Sequence, residues 1–302
     1  MNGYEEYRSE RPLLLNNRNC PYCGCVFGTS IGSTKEHVIG RRFVPKGALE
    51  AQWNLILNAC GPCNNLKAAL ENDISVITML PTPVSRGAAI EQQLAAEVAR
   101  RANKTGSRRT GKSVENSHEE IKIQQQSPGM SASFTFTAQP QINHDRIHHL
   151  AELHFRAFFY FCTYDETTAR GGFLLGEYVH LGSYVRGNWG CVEATWFTQQ
   201  VAQWDLRFHG IGADGYFKIY IRKYTSAEVW SFAVEWNQSL RILAFGGDRA
   251  AIDRLLKGMP ERASFWTTSA DGHSVRVTQE IPLEHGVDRL FEPSDAPATR
   301  LK

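Results

Sequence analysis

Four of the seven cysteines fall in two Cys-x-x-Cys pairs, Cys20-Pro21-Tyr22-Cys23 and Cys60-Gly61-Pro62-Cys63. Two cysteines separated by two residues can sit on one tight turn and aim both sulfurs at a single ion. Two such turns close a tetrahedral thiolate site with no position left for a substrate, so a Zn²⁺ bound there is structural. Gly24 and Gly61 supply the backbone freedom such turns need. The gap between the pairs is longer than in a compact zinc ribbon, so further structure must be inserted between the turns. Cys25, Cys162 and Cys191 stand apart, and the pattern reads as metal binding rather than as a disulfide framework.

The insertion carries Thr34-Lys35-Glu36-His37-Val38-Ile39, and Trp53-Asn54-Leu55-Ile56-Leu57 leads into the second pair. Asn64-Asn65-Leu66-Lys67 follows Cys63 directly. In this order the elements resemble the HNH, or ββα-metal, nuclease family, in the four-cysteine form of phage resolvase-type endonucleases and bacterial HNH restriction enzymes. The resemblance covers Asn19 to Asp73, just under a fifth of the chain. It implies a ββα-metal fold and hydrolysis of a phosphodiester bond in nucleic acid, with DNA favoured over RNA.

The residue types suit that chemistry. Hydrolysis needs an activated water and a cation that offsets charge on the phosphate. Imidazole accepts a proton near neutral pH, which makes His37 the general base. Carboxylate and amide oxygens suit a hard ion such as Mg²⁺ or Mn²⁺. The resemblance assigns that metal to Glu36 and Asn64, the orientation of the base-bearing loop to Asn54, and a phosphate contact to Lys67. Asn65 offers the same amide one position later. Two departures from the family pattern stand out: Glu36 is one methylene longer than the usual Asp, and Gly40 occurs where Pro is common. The alternative is a zinc-dependent module that binds nucleic acid or protein without cutting.

A formal net charge of +2 is too mild to argue for a nucleic-acid partner on whole-chain electrostatics, so local clusters must carry the case. Arg41, Arg42 and Lys46 follow the Glu-His pair and are expected to line a phosphate track. A second cluster holds Arg100, Arg101, Lys104, Arg108, Arg109 and Lys112. His144, His148, His149 and His154 read as surface or core histidines rather than as a metal site, and the later tryptophans read as core.

Composition divides the chain into three parts: a zinc-stapled module over 1–80, a short helix and polar basic linker over 81–130, and a C-terminal domain over 131–302. Helical spacing predicts Ala88 to Arg101 and a long helix from His144 to about Tyr164 capped by Asn143. Strands are expected at Ser133–Thr137 and Tyr216–Tyr224, with a hairpin turning at Asn237-Gln238-Ser239 and a helix starting at Asp248. The fold class expected is α+β, with an antiparallel sheet in the C-terminal domain. That domain is expected to serve targeting, regulation or dimerisation, as in two-part effectors of bacterial defence or mobile elements. Met1 to Glu10 is polar and no apolar run spans a bilayer, so a cytoplasmic location is expected.

Overall fold

The computed structural model describes residues 5–7, 11–127, 129–173, 177–284 and 286–292. The fold is mixed α+β. In chain order come β1 (Glu5–Tyr7), β2 (Leu13–Leu14), β3 (Ser33–His37), β4 (Leu55–Cys60), α1 (Gly61–Met79) and α2 (Ala88–Lys104). Then follow β5 (Glu119–Ser127), β6 (Met130–Ala138), α3 (His144–Cys162), β7 (Glu177–Val185) and α4 (Val192–Val201). The chain continues with β8 (Asp205–Gly212), β9 (Phe217–Tyr224), β10 (Val229–Trp236), β11 (Leu240–Gly247), α5 (Arg249–Leu256), β12 (Ser264–Thr268) and β13 (Ser274–Thr278).

A six-stranded sheet with order β1-β8-β9-β10-β11-β7 forms the centre, and it is antiparallel except where β1 joins β8. Every residue of β10 and β11 is buried, because both faces of the sheet are covered. Alternation along β10 sends Trp230, Phe232, Val234 and Trp236 to the face packed against α3 and the cysteine-bearing module. Val229 and Ala233 go to the other face, with Phe197 of α4 and Ile252 of α5. The predicted turn is present: Asn237 and Gln238 both adopt positive φ between the two strands. Asp248 caps α5 by accepting from the amides of Ala250 and Ala251. Asn143 does precede α3, but its side-chain oxygen accepts from Arg109 rather than from the helix.

The stretch expected to be a linker is structured. α2 runs to Lys104, and β5 pairs with β6 in a hairpin. The polar side chains that argued against a core here instead satisfy one another. Arg109 pairs with Glu119, which is fully buried, and Thr110 bonds Ser117. Backbone pairing of a hairpin needs few apolar anchors, and Ile121 is one of them.

One hydrophobic core runs without a break from the N-terminal module into the sheet. Trp53 is its main connector. The indole packs against Phe158 of α3 and Phe208 of β8, and its N–H donates to the Ile211 carbonyl at 2.7 Å. A Cβ on Gly210 would lie 2.7 Å from that ring, so the close approach requires glycine. The hairpin tip makes a second connection. Asn237 donates to the Phe43 carbonyl and to the Thr78 hydroxyl, and it accepts from Arg86. No helix among the described residues is long and apolar enough to cross a membrane.

Of the four histidines expected at the surface or in the core, His144 and His149 are exposed, His148 is half-buried and His154 is fully buried. His148 and His180 stack in parallel with centroids 4.4 Å apart, and His154 sits fully buried among Phe43, Phe217 and Trp236. Burial pushes all three down from 6.5 to about 4. The unfolded chain therefore binds more protons than the folded one between those values, and stability falls as pH drops through that window. Thermal unfolding followed by circular dichroism should show the midpoint falling from pH 6.5 toward 4, less steeply in His180→Phe.

Candidate metal centre and basic cleft

The first cysteine turn is held by its own backbone: Cys20 N–H bonds the Cys25 carbonyl and Gly24 N–H bonds the Cys20 carbonyl, both at 2.9 Å. Gly24 has φ +78°, the left-handed conformation expected of it. The second turn is the start of α1, with Cys60 at the N-cap, Pro62 in the first turn and Cys63 beside it. Gly61 has no positive φ there, so its freedom is not what shapes that turn. The helix N-terminus favours negative charge, which suits two thiolates.

All four sulfurs lie within 4.8 Å of one another, and the Cys23 and Cys60 sulfurs are 3.7 Å apart. Zn–S bonds in a tetrahedron put sulfurs about 3.8 Å apart, so the quartet can hold a metal ion such as zinc. Burial and the neighbouring sulfurs raise the Cys63 thiol, a crowding that a bound cation relieves. Cys25, set apart by sequence, is near enough to hydrogen-bond Cys23 and Cys60, and burial plus those neighbours push its thiol to about 12. Among the described residues no other group of three or more His, Cys, Asp or Glu side chains converges in this way.

β3 and β4 pair antiparallel, with Glu36 opposite Leu57 and His37 opposite Ile56, and α1 packs beside them. Together they border a cleft of 1110 Å³. Glu36, His37 and Asn64 all line it, as do Arg41, Arg42 and Lys46 from the following loop and Arg100, Arg101 and Lys104 from α2. Cations from both basic clusters thus meet in one cavity, although Arg108, Arg109 and Lys112 do not line it. Asn65 is exposed and lies outside the lining, whereas the Asn64 amide nitrogen donates to the Thr34 hydroxyl at 2.9 Å. Among the described residues the amide oxygen of Asn64 takes part in no hydrogen bond.

Asn54 is buried and grips Ile39 twice, accepting from its N–H at 3.0 Å and donating to its carbonyl at 2.8 Å. The two bonds fix the backbone just after His37. Arg101 braces the same loop from α2, donating to the Arg42 carbonyl and to Ser75. Burial first, then Arg41, Lys67 and Lys35, lower the His37 pKa, which keeps the ring neutral and able to accept a proton.

Lys67 is not at the surface, so it cannot make the phosphate contact expected of it. Only 1% of its side chain is exposed, and its ammonium lies 2.9 Å from Glu36 Oε1 and 2.5 Å from Glu71 Oε1. Tyr22 donates to the same Glu36 oxygen at 3.2 Å. Burial raises the Glu36 carboxyl more than Lys67 lowers it. Burial would lower the Lys67 ammonium, but the two carboxylates raise it. Sequence reasoning missed Glu71 and Tyr22. Glu71 was legible as a helical i, i+4 partner of Lys67, while nothing in the sequence ties Tyr22 to Glu36.

No family model, curated protein or solved structure matches the chain. The purified protein should carry one zinc per chain by elemental analysis. Cys60→Ser should lose the metal and melt several degrees lower, and Cys162→Ala should keep it.

Proposed function

We propose that the chain is a metal-dependent endonuclease of the HNH type that hydrolyses phosphodiester bonds in nucleic acid, DNA favoured. The observation that carries this reading is the cleft itself. A neutral histidine, a carboxylate and an amide oxygen line it together with seven basic side chains against four acidic ones. Such an excess draws in a phosphate backbone without reading sequence.

In this reading Glu36 and Asn64 hold a Mg²⁺ or Mn²⁺, which when bound supplies positive charge against the phosphate and leaving oxygen. His37 takes the proton from the attacking water, and its depressed pKa suits that role. Asn54 keeps the base in place through Ile39. Arg41, Arg42, Lys46, Arg100 and Lys104 bind backbone phosphates. The zinc-binding cysteines hold Asn64 next to Cys63, so the structural site fixes a ligand of the reactive one.

The ammonium beside Glu36 favours a second reading, a cleft that binds nucleic acid and does not cut. The two readings separate experimentally. With Mg²⁺ or Mn²⁺ the protein should cleave plasmid DNA or RNA, and His37→Ala should lose a factor of about 10² to 10⁴ while binding normally. Equal cutting by wild type and His37→Ala would remove the mechanism, and salt-sensitive binding with no cutting under either metal would favour the second reading. Separately, Arg100→Ala/Lys104→Ala should weaken binding and flatten its dependence on salt, by about one unit of log-log slope per lost contact.

A further inference from the structure

We propose that Glu71 is a positioning residue for the divalent-metal site: by holding the Lys67 ammonium, it leaves Glu36 with the net negative charge a cation requires. This rests on the nuclease reading above.

Lysine has three ammonium hydrogens. Those of Lys67 are all engaged, by Glu71 Oε1 at 2.5 Å, Glu36 Oε1 at 2.9 Å and the His37 carbonyl at 3.4 Å. None remains for a phosphate. A buried lysine paired with Glu36 alone would cancel its charge and compete with any metal. With Glu71 as a second partner, and the shorter contact, the trio carries one net negative charge.

The surroundings keep Glu71 committed to that partner. Gly40 abuts it, and a Cβ there would sit 2.4 Å from Glu71 Oε2. The glycine that departs from the family's usual Pro is therefore the residue that makes room for this carboxylate. On the buried side His154 lies 3.9 Å from Glu71 Oε1, well beyond the 2.5 Å of Lys67 from the same oxygen. Lys67 is the nearer partner of that carboxylate. Both carboxylates line the cleft, so the charge they share is presented where an ion would enter.

The test is Mn²⁺ binding to the zinc-loaded full chain without nucleic acid, read by electron paramagnetic resonance. Glu71→Gln should weaken Mn²⁺ binding about tenfold, the order expected when one unit charge changes beside a partly buried site. Lys67→Met/Glu71→Gln restores the net charge and should bind within about threefold of wild type, while Lys67→Met alone should bind at least as tightly. Wild-type affinity in Glu71→Gln, or a double variant as weak as that single one, overturns the inference. If Glu71→Gln does not fold, the Lys67→Met result decides: weaker binding than wild type overturns it. Binding that Glu36→Gln abolishes but Glu71→Gln leaves untouched sinks this inference alone. Wild-type protein with no Glu36-dependent Mn²⁺ binding sinks the metal mechanism and this inference together.

Discussion

The geometry of the cleft depends on four sulfurs that bring two distant turns to one point. The turns at Cys20 and Cys60 lie far apart in sequence, and the Cys23–Cys60 contact closes a separation of 37 residues. The cleft residues proposed to act as base and as ligands of a divalent ion are inside that loop or directly after it. β3, the loop through Lys46 and β4 belong to the closed segment, while Asn64, Lys67 and Glu71 extend from it along α1. Closing that loop costs chain entropy, which the packing of Val38, Ile39, Trp53 and Leu57 offsets and an ion held by the four sulfurs would offset further.

Charge inside this frame is arranged in two tiers. The exposed cations Arg41, Arg42, Lys46, Arg100 and Lys104 face solvent in the cleft. Beneath them Lys67 is sealed between Glu36 and Glu71, with Tyr22 as a further donor. All three ammonium hydrogens of Lys67 are used, and the bond to Lys67 together with that from Tyr22 holds Glu36 in one place. The same residue type thus serves opposite ends, attraction at the surface and restraint below.

Much of this was legible in the sequence, and the limits have physical causes. The cysteine spacing pointed to the thiolate cluster because ligand geometry is local. The helices at Ala88 and His144 and the hairpin at Asn237 were visible because periodicity and turn residues are local too. The polar run from Asn103 misled, since hydrogen-bonded polar groups such as Arg109 and Glu119 can be buried without an apolar pattern. The direction of Lys67 was hidden as well. Sequence places it one turn past Asn64, but which side of α1 faces β3 is settled only when the helix packs. The role of Gly40 emerged only with Glu71 beside it.

The seam around Trp53 has a consequence for how the chain can be divided. Its ring is seated on Gly210 and Gly212, and its N–H is satisfied by Ile211. A fragment ending near Met79 would carry a naked indole and an uncovered Phe43 into water. The first 80 residues are therefore not a cassette that can be lifted out and grafted elsewhere, and the sheet behaves less as a passenger than as the missing half of their interior.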